Sequence, residues 1–89
     1  MTKRIVTIVN KLGLHARAAA KFVQTASHFN SLIEVEHRGR LVNGKSIMGV
    51  MMLAASLGAE IIIHAQGADS DEALTALTGL VEGKFGEGE

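Results

Sequence analysis

The sequence predicts an α+β domain in which an antiparallel sheet is covered by helices on one face, in the element order βαββαβα. Short runs rich in β-branched residues, such as 5–9, 32–37 and 60–66, alternate with segments whose apolar residues recur at three- and four-residue steps. Turn signals separate these runs at Asn30-Ser31, Arg38-Gly39, Asn43-Gly44 and Gly67. A length of 89 residues, 47% of them hydrophobic, suits one small domain with a single core.

Residues 2–9 read as the first strand, with Val6 and Ile8 on one face and Ile5, Thr7 and Val9 on the other. The alternation is blurred and leaves the buried face open. Residues 16–27 read as a helix whose stripe is Ala19, Phe22, Val23 and Ala26, continued by Phe29. Arg17, Ala20, Lys21 and Gln24 fall on the opposite face, beside His15. Residues 32–37 form the second strand, with Ile33 and Val35 inward and Glu34 and Glu36 outward, and 40–42 form a short third.

Ser46 is a good N-cap for a short second helix. The segment 47–57 that follows has too many apolar residues for one buried stripe. It is either wholly buried or exposes a patch for a partner, and Met48, Met51 and Met52 suit an adaptable surface. Residues 60–66 form the fourth strand. Asp69, Ser70 or Asp71 can cap a last helix that shows Ala73, Leu74, Leu77, Leu80 and Val81 on one face. The tail, 83–89, is glycine-rich and acidic and is expected to fray. Thr7, Glu34, Glu36 and His64 fit an uncovered sheet face, whereas Ile5 and Ile62 fit it less well.

The chemistry of the chain centres on Gly13-Leu14-His15-Ala16-Arg17, where a strand hands over to a helix. The first N–H groups of a helix have no partner within it and carry partial positive charge, so such an end attracts anions. A neutral imidazole nitrogen is a competent nucleophile toward phosphorus, and the helix end disfavours the unreactive imidazolium. Arg17, two residues on, offers a planar fork matched to phosphate oxygens. Spacing alone favours reading His15 as a poor surface N-cap and Arg17 as a solvated charge.

Composition narrows the classes. Nine Lys and Arg balance nine Asp and Glu, which gives no field for nucleic acid or a membrane. No cysteine is present, so disulfides and thiol chemistry are excluded. No two histidines share a metal-ligand spacing, and neither a metal nor another cofactor is expected. The longest apolar run, 47–55, is too short to span a bilayer, and the start of the chain lacks the basic-then-apolar pattern of a signal peptide. A cytoplasmic monomer is expected.

Four blocks carry a resemblance to a known family: Gly13-Leu14-His15-Ala16-Arg17; Val23-Gln24-Thr25-Ala26-Ser27; Val42-Asn43-Gly44-Lys45-Ser46-Ile47-Met48-Gly49-Val50-Met51; and Gly58-Ala59-Glu60-Ile61 with Gly67-Ala68-Asp69. Over nearly its whole length the chain resembles the HPr family, the phosphocarriers of the bacterial phosphoenolpyruvate-dependent sugar phosphotransferase system. The resemblance implies an open-faced β-sandwich, with four antiparallel strands and three helices on one side. It implies that His15 takes a phosphoryl group on its δ nitrogen from phosphorylated enzyme I and passes it to the A components of sugar permeases. Arg17 matches the phosphate-stabilising arginine, and Ser46 matches the serine that an HPr kinase/phosphorylase modifies in many members. Ile47, Met48 and Met51 match the shared docking patch, to which Ala20, Lys21 and Gln24 are adjoined here. Such a carrier is a substrate of its partners and has no turnover of its own.

Ala18 stands where many members carry proline. That is the third helical position, where the N–H is unpaired in any case. The departure leaves open a nitrogen-regulatory paralogue that uses the same His15 chemistry. A reading of another class, a small α/β binding module without phosphotransfer, lacks the aromatic platforms and basic balance that RNA readers need.

Overall fold

The structure is a computed structural model and describes residues 2–89. Its elements are β1 (Thr2–Thr7), α1 (Ala16–Ala26), β2 (Leu32–His37), β3 (Arg40–Asn43), α2 (Ile47–Met52), β4 (Glu60–Gln66) and α3 (Ser70–Glu82), with a single 3₁₀ turn at Lys84–Gly86. The strands form one antiparallel sheet in the order β1-β4-β2-β3, with the helices on one face, as the sequence predicts.

Pairing settles the face that the sequence left open. Val6 lies opposite Ile61, and Val6, Ile8, Ile33, Val35, Ile61, Ile63 and Ala65 all point into the core. The β1–β4 ladder continues past the strand end, since Ile8 and the turn at Gly58 and Ala59 exchange backbone hydrogen bonds of 2.8 Å. The outer face carries Thr7, Glu34, Glu36 and His64 as expected, and His64 Nε2 lies 3.0 Å from Glu36 Oε1. Ile5 and Ile62 are also on this face, directly opposite each other, where a cross-strand apolar pair shields part of both side chains.

Small residues bring the helices close to the sheet. Ala18, Ala19 and Ala26 of α1 are fully buried beside Phe22, and α3 contributes Ala73, Leu74, Leu77 and Val81. The core is aliphatic apart from Phe22 and Phe85.

Three elements depart from the sequence reading. The apolar run after Ser46 is helical only through Met52, and Ala54 then adopts a positive φ of 52°. This turn sends both Leu53 and Ala55 into the core and frees the Ala55 carbonyl for another segment. Asp69 occupies the N-cap position of α3 but makes no side-chain cap bond. Its carboxylate instead accepts the N–H groups of Asn30 (2.8 Å) and Ser31 (2.9 Å) and the Ser31 hydroxyl, tying α3 to the α1–β2 turn. Gly67, at φ +148°, allows this approach, because a side chain there would strike Ser31.

The third departure is the tail, whose composition predicts fraying. Lys84 and Phe85 both take left-handed backbone angles, with φ of 59° and 54°. That reversal buries Phe85 to 1% exposure and returns the chain toward α1. Left-handed backbone costs about 1–2 kcal/mol at a non-glycine residue, and burial of a Phe side chain contributes about 1.5–3 kcal/mol. Packing therefore roughly offsets the strain, and the further bonds of the tail decide where it lies.

Two outcomes follow from these contacts. Phe85→Ala should destabilise the protein by about 3 kcal/mol in chemical denaturation, the ordinary cost of emptying a buried Phe site; a frayed tail would show almost none. The Ser31 hydroxyl above all, with the N–H groups of Asn30 and Ser31, holds the Asp69 carboxyl below its ordinary value of 3.8. A depressed carboxyl adds stability that is present above the unfolded value and lost as pH falls through the folded one. Asp69→Asn should therefore be less stable than wild type at pH 6, with the gap closing below about pH 3.8. Stability curves that stay parallel down to pH 2 would refute the linkage.

Candidate functional site

The strand-to-helix junction is fixed from the backbone outward. Gly13 has φ +65°, and the space its Cβ would fill is taken by the Ala55 carbonyl and Ser56. Only glycine permits so close a crossing of two backbones. Next to it, Leu14 is buried and donates its N–H to the Ala55 oxygen at 2.9 Å. Asn10 is fully buried, and its Nδ2 donates to the Gly13 carbonyl at 2.9 Å. The loop that precedes α1 is thus held on two sides.

His15 is the N-cap residue of α1. Its backbone is extended (φ −73°, ψ 178°), and its carbonyl accepts the Ala19 N–H at 2.8 Å. Its side chain makes no cap hydrogen bond, and the first turn contains no acidic residue. The N–H groups of that turn keep their partial positive charge facing outward. Arg17, exposed in the same turn, lines a cleft of about 450 Å³ together with His15, Lys11, Leu12, Ala16 and two carboxylates of the tail, Glu87 and Glu89.

The ring of His15 turns toward the tail. Nε2 lies 2.5 Å from Glu87 Oε2, with the His15 side chain 28% exposed and that of Glu87 12%. The other carboxylate oxygen, Glu87 Oε1, accepts from Asn10 Nδ2 at 3.0 Å. Asn10 Oδ1 has no partner among the described residues, which fixes the amide orientation: a flipped amide would set its oxygen against the Gly13 carbonyl and the Glu87 carboxylate. Burial pushes the Glu87 carboxyl up, but the hydrogen bonds from His15 and Asn10 and the charges of His15 and Lys21 outweigh it and hold it below its ordinary range. The helix end is therefore not the only field at the imidazole, because a carboxylate faces it as well.

The other residues singled out from sequence divide into two groups. Gln24 is exposed and Ala20 half-buried on the open side of α1. Lys21 is less free than expected, since its Nζ donates to the Phe85 carbonyl at 2.6 Å and fastens the tail. Ser46 caps α2, its Oγ accepting the Gly49 N–H at 3.1 Å. Ile47 and Met48 are exposed, 43% and 67%. Met51, expected on the same patch, packs partly against the core, and it is Met52 that stands 58% exposed. In a helix of six residues a shift of one position rotates a side chain by about 100°, so only part of an apolar run can face outward. Because α1 and α2 pack on each other, the His15 and Ser46 motifs occupy neighbouring helices.

Sequence reasoning missed Glu87 and Asn10. Glu87 is separated from His15 by 72 positions, and no periodicity or spacing links the two. Among the described residues, no three His, Asp or Glu side chains gather as a metal site, and no helix is long and apolar enough to cross a membrane.

The family model PTS-HPr, described as the PTS HPr component phosphorylation site, matches residues 2–83. The chain belongs to the HPr family. HPr from Neisseria meningitidis serogroup A, named a phosphocarrier protein, is 57% identical over 89 residues, the full length of both chains. The structure of HPr-C-His from Thermoanaerobacter tengcongensis superposes with a TM-score of 0.95 at 52% identity, covering all of both chains. A second structure from that organism, described as an HPr dimer, gives a TM-score of 0.78 at 53% identity over 98% of this chain and all of that one. Membership of this family supports a phosphoryl-carrier role.

Proposed function

We propose that His15 is the phosphoryl acceptor and donor of this HPr, loaded by phosphorylated enzyme I and unloaded by the A components of sugar permeases in the cytoplasm. The observation that carries the reading is a histidine at a helix start with no side-chain cap, sharing a cleft with Arg17. In the transfer, a ring-nitrogen lone pair forms the bond to phosphorus while the donor's bond to phosphorus breaks and its electrons leave with the donor. The three equatorial oxygens then need positive groups already in position. The N–H groups of the first turn of α1 and the Arg17 guanidinium supply them, the latter two oxygens at a time.

Ala20, Gln24, Ile47 and Met48 form the surface on which partners dock, with Met52 added to it. A mixed face of this kind has an apolar centre and a basic rim in Arg17, Lys21 and Lys45, which favours a partner that is apolar in the middle and acidic around it. Exchange among several partners suits a monomer, and dimer formation in the manner of the T. tengcongensis protein is the alternative assembly.

Ser46 is proposed as the regulatory site, modified by an HPr kinase/phosphorylase. A dianion at the start of α2 suits the helix, because its N–H groups face it. Against an apolar and acidic partner the same charge must be desolvated and is repelled.

Incubation with enzyme I and phosphoenolpyruvate should add one acid-labile phosphate to the intact mass of the chain, and His15→Ala should gain none. Labelling that persists in His15→Ala would place the acceptor elsewhere. Ser46→Asp should keep the melting temperature of the wild type or slightly raise it, while slowing His15 phosphorylation at least tenfold, on the order of one lost favourable charge contact across an interface. A large drop in melting temperature with normal transfer would make Ser46 a structural cap alone.

A further inference from the structure

The contact between His15 and the tail has a specific geometry. Glu87 reaches only one of the two ring nitrogens, Nε2, at 2.5 Å. Its carboxylate is itself oriented, because the buried Asn10 amide donates to the second oxygen while also holding the Gly13 carbonyl of the junction loop. The segment that delivers it is anchored on both sides. Phe85 is sunk in the core, Lys21 Nζ binds the Phe85 carbonyl, and the Lys11 N–H donates to the Glu89 carbonyl. Lys11 and Arg17 line the same cleft with positive charge, Lys21 adds a third cation near the carboxylate, and Glu89 adds a second anion.

We propose that Glu87 is a positioning residue for phosphoryl transfer: its carboxylate accepts a hydrogen bond from the Nε2–H of His15, aims the ring, and leaves the Nδ1 lone pair as the phosphoryl acceptor. This deepens the reading of His15 as the carrier and rests on it. A hydrogen bond at one imidazole nitrogen fixes the tautomer and so decides what the other nitrogen can do. With the proton on Nε2, Nδ1 attacks phosphorus without first losing a proton. The Nδ1–P bond forms, the donor–P bond breaks, and the donor departs with that electron pair. The ring becomes a phosphoimidazolium that keeps its Nε2 proton, and the adjacent carboxylate neutralises the positive charge created there. In the reverse direction the same proton keeps the ring a good leaving group, so the N–P bond breaks toward the next acceptor without a separate protonation. The carboxylate therefore serves loading and unloading alike, through the ring nitrogen that does not carry the phosphate.

The test uses the full chain with ¹⁵N-labelled histidine, comparing wild type with Glu87→Ala, Glu87→Gln and a control, Glu72→Gln, on the exposed side of α3. Imidazole ¹⁵N spectra of wild type should show a slowly exchanging Nε2–H that Glu87→Ala loses and the control keeps. Under enzyme I and phosphoenolpyruvate, Glu87→Ala should load on the order of tenfold more slowly at saturating carrier, the effect expected for one charge-assisted hydrogen bond, with KM unchanged. Glu87→Gln can still accept the hydrogen bond through its amide oxygen, without the charge, and should recover part of the rate. Loading of Glu87→Ala at the wild-type rate would overturn the proposal while leaving His15 as carrier. Slow loading with an unchanged Nε2–H signal would overturn it too, because the loss would then come from tail packing. A wild type that gains no phosphate on His15 would remove the carrier reading itself, and this proposal with it.

Discussion

The crossing of two backbones at Gly13 governs the rest of the site. The left-handed turn at Gly13, the 2.9 Å bond from Leu14 N–H to the Ala55 carbonyl and the burial of Leu14 fix the point at which α1 can begin. The direction of its first N–H groups, the exit of the His15 side chain and the reach of Arg17 follow from that start. The bend at Ala54 that shortens α2 belongs to the same arrangement, because it brings the Ala55 carbonyl to the crossing.

A helix start without a cap is ordinarily a small defect, worth about 1 kcal/mol by comparison with a good N-cap residue. Here the vacancy suits phosphoryl carriage. A side-chain oxygen bonded to the first-turn N–H groups would compete with a phosphoryl group for them, and an acidic residue in that turn would repel it. Neither is present in α1. The same chain uses a proper cap at Ser46 of α2. On the proposed reading of His15, the start of α1 is left open for a phosphoryl group, whereas the start of α2 is closed by its cap.

The tail shows how a weakly structured sequence becomes ordered. Two residues in left-handed backbone work against the 83–89 segment, and the burial of Phe85 roughly balances them. The bonds of Lys21 to the Phe85 carbonyl and of Glu87 to His15 and Asn10 then fix its path.

The sequence by itself determined the order of the elements, the outward side of β2, the helix that starts at His15 and the Ser46 cap that marks where α2 begins. These are local properties: alternation on strands, three- and four-residue steps on helices, and turn residues between them. The His15–Arg17 pair was legible for the same reason, since both residues belong to one helical turn. Tertiary structure alone decided what depends on residues far apart in the chain. The choice of Val6 over Ile5 for the core came from pairing with β4, and the diversion of Asp69 from its helix to Ser31 came from the close approach allowed by Gly67. The docking of Glu87 on His15 is the extreme case. A glycine-rich, acidic tail has no periodicity to betray its destination, and the Phe85 that fixes its course is buried in a core built from residues far from it in the chain.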